Sequence, residues 1–281
     1  MNSGMSVVTT ELYPPPNGTP RPARLALARV DGRDAFAVWL RNLEVYLRLW
    51  KVLLIPPLVE PVFSIFAFGW GVGSLILSRV EGIPYLSFVG AGLLGFTVLM
   101  RALFETTYGS YFRMVYQSTY DSILATPVEV ESLAWAEICW AVTKASFDSI
   151  IILVILVLFG AATSAYAALV PAPLILGSLW IAALSLGVTA HIHDIDSFNV
   201  YLAVFFSSIF LCGAWFPLEV LPAPLRWLAW AIPLTSAVDL TRAFLTGRFL
   251  PRHPFEALYL LASAFVCCEW ALRSLRRRMV A

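Results

Sequence analysis

Apolar residues run along this chain in long stretches separated by short polar interruptions. Roughly 20 consecutive apolar residues are needed to cross a hydrocarbon layer. Six stretches meet that length: residues 58–77, 85–104, 135–159, 173–190, 199–216 and 255–272. Each predicts a membrane-spanning helix, because a backbone in lipid must satisfy its polar groups internally. Before the first of them the pattern changes. Over residues 31–51, Phe36, Trp39, Leu40, Leu43, Leu47 and Trp50 recur at helical spacing with Arg33, Arg41, Glu44, Arg48 and Lys51 between them. That pattern predicts an amphipathic helix lying in the membrane interface, basic on one side and carrying tryptophan on the other. Residues 1–30, with Pro14, Pro15 and Pro16 in a row, read as a disordered cytoplasmic tail. Residues 52–273 then form the six-helix transmembrane domain, and 274–281 a basic cytoplasmic tail.

Two of the interruptions carry structure of their own. After the second stretch, residues 105–127 are polar and aromatic, and they predict a short cytoplasmic helix ending near Leu124. A new helix is expected to start with Thr126 as cap, Pro127 in the first position and Glu129 three residues after the cap. Between the fifth and sixth stretches lie Phe216, Pro217, Leu221, Pro222, Pro224 and Pro233. That segment is too apolar for a solvated loop and too broken by proline for one span. It predicts two short re-entrant helices that dip into the outer leaflet and return.

Composition makes lipid the solvent. Charged residues are 13% of the chain and hydrophobic residues 59%, where soluble domains carry about a quarter charged residues. Mean hydropathy is +0.78. A net charge of +1 offers no global field for nucleic acid. The four cysteines sit inside apolar runs without C-x-x-C spacing and read as small hydrophobes. The Lys/Arg bias places both termini in the cytoplasm: twelve basic residues fall in inside segments and five in outside ones.

The third stretch contains Glu137, Lys144 and Asp148, which fall within about 40° of one another on a helix. Ionisable groups in hydrocarbon face a bundle interior or a wet cavity. The stripe therefore either lines a translocation path or clips helices together. Lys144 and Asp148 are expected to pair as i and i+4 neighbours, and so are Arg101 and Glu105. Glu60, set among Pro56, Pro57 and Pro61, suits the dipole at the start of a helix. The turn His191-Ile192-His193-Asp194-Ile195-Asp196 lacks a further ligand set and reads as a polar turn, so no metal is expected. No G-x-x-x-x-G-K-[ST] occurs, so this chain supplies no P-loop for ATP.

The order of parts, with FETTYG at 104–109, TYDSILATP at 119–127, EICWAVTKA at 137–145, FP at 216–217, LP at 221–222, PLT at 233–235 and DLTR at 239–242, resembles the permease subunits of type-2 ABC exporters. It is most similar to the nodulation protein J family, which exports lipo-chitin oligosaccharide signals in rhizobia. The resemblance implies an all-α integral membrane fold, a dimer of permeases in the bacterial inner membrane, and two copies of a separate ATPase that carries the ATP and Mg. It implies that this chain binds no cofactor and is not itself an enzyme. Arg113, Met114, Tyr120, Asp121, Leu124, Thr126 and Pro127 would belong to a coupling helix docking on the ATPase. Phe216, Pro217, Leu221, Pro222 and Pro233 would belong to an outer gate. The cargo would be a glycolipid, lipo-oligosaccharide or polysaccharide, with a drug or small lipid as the alternative. Asp148 and the 191–196 turn fall outside the resemblance. A membrane-embedded transferase using Glu137, Asp148 or that turn, and a passive channel, are the rival classes.

Overall fold

The computed structural model describes residues 25–76 and 79–280, so residues 1–24 of the expected tail lie outside the described residues. Every named element among the described residues is helical. The interfacial helix α1 is Gly32–Arg48, started by Asp31, whose side chain accepts from the Arg33 N–H. Behind it come α2 (Trp50–Leu75), α3 (Tyr85–Tyr116), the short α4 (Thr119–Leu124), α5 (Val130–Leu158) and α6 (Ala165–Thr189). Then follow α7 (Ile195–Leu211), α8 (Ala223–Ala231), α9 (Pro233–Thr246) and α10 (His253–Val280).

Five helices, α2, α3, α5, α6 and α10, are long and apolar enough to cross a membrane. The stretch at 199–216 falls short of the span expected there. Its α-helical part, Phe198–Leu211, has 14 residues, about 21 Å at 1.5 Å per residue against a hydrocarbon core of about 30 Å. The helix stops because Gly213 turns left-handed, at φ 74°, and its carbonyl accepts from Arg242 Nη2 at 2.6 Å.

The helix α3 is the hub. Of its apolar window 83% is buried inside the protein, against 17% for α2. Most of α2 therefore faces lipid or another chain. Pro61 removes a backbone donor from the interior of α2, and the helix continues as a π-helix over Ile65–Val72. The proline-broken segment holds one short helix, α8, and leads into α9. Pro224 sits in the first turn of α8, and Pro233 opens α9, positions where the missing N–H costs nothing.

The first described residues and the end of α10 meet at the α1 end of the bundle. Residues Ala26–Arg29 form a 3-10 turn in place of tail. The Ala26 and Leu27 N–H groups donate to Glu269, and Arg29 and Arg276 both pair with the buried Glu131. Residues 274–280 likewise continue α10, not a separate tail.

α1 packs Ala35, Val38, Asn42 and Tyr46 inward. Trp39 Nε1 donates to Thr143 Oγ1 of α5 at 3.1 Å. Phe36, Leu40, Leu47 and Trp50 stay exposed on the other side. Most of the apolar stripe read from the sequence is thus exposed, with Trp39 turned in against α5.

Candidate functional site

Charged side chains from α2, α3 and α5 form a ladder inside the bundle. At its α1 end, Arg113 of α3 bridges two carboxylates: Nη1 lies 2.9 Å from Glu105 Oε1 and Nη2 2.6 Å from Glu137 Oε2. Lys144 Nζ takes the other oxygen of Glu105 at 2.8 Å, and Trp140 Nε1 donates to Glu105 Oε1 at 3.1 Å. Asn42 of α1 donates to Glu137 Oε1 at 3.1 Å. Further along, Arg101 Nη2 pairs with Glu60 Oε2 at 2.9 Å and Arg101 Nε lies 3.8 Å from Asp148 Oδ2. Glu137 and Asp148 are eleven residues apart on α5, so the ladder extends about 16 Å along it.

Local backbone geometry aims these groups. Two π turns, Glu105–Gly109 and Phe112–Tyr116, widen the end of α3, a deformation that often accompanies function. The first of them ends at Gly109, where an added Cβ would lie 3.3 Å from Glu105 Oε1 and 3.4 Å from Arg113 Nη2. The bare backbone lets the ion pair cross over it.

The predicted stripe of Glu137, Lys144 and Asp148 does share a face, but its partners differ from expectation. Lys144 turns to Glu105 instead of Asp148, and Arg101 to Glu60 and Asp148 instead of Glu105. Glu60 is thereby an ion-pair partner of α3; it stands in the interior of α2 and not in the first turn of a helix, so the helix-start role expected for it is not met.

The expected coupling segment divides in two. Arg113, Met114 and Tyr120 point inward, and Tyr120 is fully buried. Burial, and then the Glu137 carboxylate nearby, push the Tyr120 phenol above its ordinary range and keep it neutral. Asp121, Thr126 and Pro127 are exposed, with Leu124 half-buried. The expected capping box is not formed. Thr126 Oγ1 donates back to the Ile123 carbonyl, and the next helix starts at Val130 behind Glu129. So α4 is a short outward-facing helix, anchored by Tyr120 beneath the ladder.

The 191–196 turn is a structural joint. His191 stacks on Trp270, 5.6 Å between ring centroids, with Nδ1 2.8 Å from the Gly187 carbonyl. Arg278 donates to the carbonyls of Thr189 and Ile192, and Tyr111 to that of His193.

At the opposite end a second polar cluster, unforeseen from the sequence, surrounds a cavity of about 250 Å³ lined by Glu81, Glu219, Asp239, Arg242, Arg248 and Arg252. Asp239, His253 and Glu256 bring ligand-type atoms within 4.8 Å of one another there. Their hydrogen bonding does not fit a metal. The Leu250 N–H donates to His253 Nδ1, which puts the ring proton on Nε2, 3.4 Å from Asp239 Oδ2. A metal-bound histidine does the reverse, donating its second N–H outward. Arg252 also lies 2.8 Å from Asp239 and 3.1 Å from Glu256. Phe216, Pro217, Leu221 and Pro222 lie on the adjoining non-helical stretch and Pro233 at the start of α9. Arg248 donates to the Glu81 and Gly82 carbonyls across this end.

Known proteins share this arrangement of sequence. The family model described as ABC-2 type transporter matches residues 33–246. The chain is 30% identical over 258 residues to Nodulation protein J of Rhizobium meliloti (strain 1021), covering 91% of this chain and 98% of that protein. It is 32% identical over 226 residues to Nodulation protein J of Rhizobium leguminosarum bv. viciae, covering 80% and 86%. Inner membrane transport permease YadH of Escherichia coli (strain K12) is 24% identical over 123 residues, 44% of this chain and 47% of that protein. With its multi-pass helical architecture, the chain belongs to the ABC-2 type transporter family of membrane permeases.

Proposed function

We propose that this chain is the membrane-spanning half of an ATP-driven exporter, acting as a homodimer with two copies of a separate ATPase and moving a glycolipid, lipo-oligosaccharide or polysaccharide outward across the inner membrane. The observation that carries the reading is α4. It leaves Asp121 exposed, and the turn that follows it leaves Thr126 and Pro127 exposed, while Tyr120 anchors it in the protein. Its neighbours in sequence are α3 and α5, the two helices joined by the Arg113 ladder. A push on α4 therefore reaches both spans through one buried cluster. In this reading the α1 end is cytoplasmic, as the basic residues of α1 and of the end of α10 favour. The cargo class follows from the resemblance to the nodulation proteins. ATP and Mg belong to the partner.

A transferase reading fares worse. Both oxygens of Glu105 and of Glu137 are engaged by cations or amides, which leaves neither of these two carboxylates free for acid–base work.

Asp121→Arg is expected to lower co-purification of the ATPase by about tenfold, because reversing a charge at a docking face sets like against like. Its abundance in the membrane should stay unchanged, since Asp121 is exposed and forms no ion pair among the described residues. Affinity purification from mild detergent, with the ATPase expected near one-to-one, reads both quantities. Normal ATPase recovery and normal export by the variant would sink the docking assignment.

A further inference from the structure

Between α1, the wide end of α3 and α5 lies a cavity of about 280 Å³ whose polar side is formed by Arg41, Asn42, Glu105, Arg113 and Lys144. Its charges do not balance. Arg113 and Lys144 are matched by Glu105 and Glu137 through the ion pairs of the ladder. Arg41 is left over: among the described residues it forms no ion pair, and its Nη1 is buried with no hydrogen-bond partner. Arg113 Nε is buried and unpartnered as well. Each of these two lining residues thus keeps a buried guanidinium nitrogen without an acceptor, a desolvation cost that an anion held among Arg41, Arg113 and Lys144 would offset.

The mouth has a different character. Val45 and Phe112, 49% and 43% exposed, flank it together with Leu53. A basic floor with an apolar rim, beside a helix that turns Phe36, Leu40 and Leu47 to lipid, has the polarity of an amphiphile. Drug-sized ligands occupy pockets of about 300–1,000 Å³, so this cavity suits a headgroup and not an oligosaccharide.

We infer that the cavity binds one anionic phosphodiester, the headgroup of an acidic phospholipid from the leaflet against which α1 lies, with Arg41 supplying the unmatched charge. Its chains would leave over Val45 and Phe112 into lipid. Basic pockets between helices at a membrane face recognise lipid phosphates by the same chemistry. The inference depends on neither the ATPase nor the exported cargo.

The test uses the full chain, delipidated in mild detergent, with phosphatidylglycerol, phosphatidylcholine or inorganic phosphate added. Native mass spectrometry counts retained lipid, and thermal melting reports stabilisation. Wild type should retain phosphatidylglycerol over phosphatidylcholine, and Arg41→Gln should weaken that retention about tenfold. Arg41→Lys should retain part of it. Equal retention of the two lipids by wild type would overturn the site, and that comparison needs no variant to fold. Unchanged phosphatidylglycerol retention by an Arg41→Gln protein that melts like wild type in phosphatidylcholine would overturn it too. If inorganic phosphate stabilises as strongly as phosphatidylglycerol, with the same dependence on Arg41, the lipid assignment fails in favour of a soluble anion.

Discussion

Arg113→Met is expected to cost about 3–5 kcal/mol of stability, the usual penalty when one partner of a buried ion pair is removed. Among the described residues Arg113 is the one cation that touches both Glu105 and Glu137, and the Glu137 side chain is wholly buried. Without it, Glu137 keeps Asn42 and a long contact to Ser110, 3.5 Å from its Oε2, and neither neutralises its charge. Arg113→Lys should rescue little, because a single ammonium cannot span two carboxylates as the guanidinium fork does. The double variant Arg113→Met, Glu137→Gln should recover much of the loss, since it removes the stranded charge along with its partner. Thermal melting of purified protein in detergent reads all three. If Arg113→Met melts like wild type, the ladder does not hold α3 to α5, and the route proposed from α4 into the spans goes with it.

How much of this ladder was readable beforehand depends on which helix each partner occupies. The shared face of Glu137, Lys144 and Asp148 follows from 100° per residue and needs no neighbour. The partners do not follow. Pairs at i and i+4 stabilise a helix by about 0.2–0.5 kcal/mol, while a charge-assisted bond between buried helices is stronger. Lys144 therefore abandons Asp148 for Glu105, and Arg101 abandons Glu105 for Glu60 and Asp148. The π turns that aim Glu105 and Arg113 leave no mark in hydrophobic periodicity. The α1 stripe was legible as a pattern, yet most of it stays exposed, and the side packed inward is the inconspicuous set of Ala35, Val38, Asn42 and Tyr46. Thr126-Pro127-Val128-Glu129 had the spelling of a helix start, but the Thr126 hydroxyl closes the end of α4 instead. The cluster at the opposite end went unseen because Asp239 and the His253–Glu256 pair come from separate helices. The available signal was a histidine and an acid three residues apart at the head of an otherwise apolar span.

Gly92→Leu should be the most damaging small change at that opposite end, costing about 3 kcal/mol or more through overpacking. A Cβ on Gly92 would stand 2.0 Å from the Ala214 carbonyl oxygen and 2.7 Å from its carbonyl carbon. Those are backbone atoms, so no rotamer change relieves the clash and the whole 212–216 turn must move. That turn is pinned on both sides. Arg242 donates to the Gly213 carbonyl at 2.6 Å, and its guanidinium sits 3.9 Å over the ring of Phe88, one turn from Gly92 on α3. Moving the turn breaks the bond and leaves a buried cation without its acceptor. Because Trp215, Phe216 and Pro217 ride on the same stretch, export should fall with stability. Gly92→Ala should already lower the melting temperature, and adding Ala214→Gly should not restore it, because the atoms in conflict remain. Gly187 supplies the contrast. The three atoms nearest a Cβ there all belong to the Trp270 ring, the first at 2.1 Å, so the clash of Gly187→Ala should be largely relieved by Trp270→Ala. Gly32→Ala, with nothing within 4 Å, should leave melting unchanged. If Ala214→Gly rescues Gly92→Ala, the turn is held by side-chain packing rather than by backbone contact, and the rigidity argued for it is wrong.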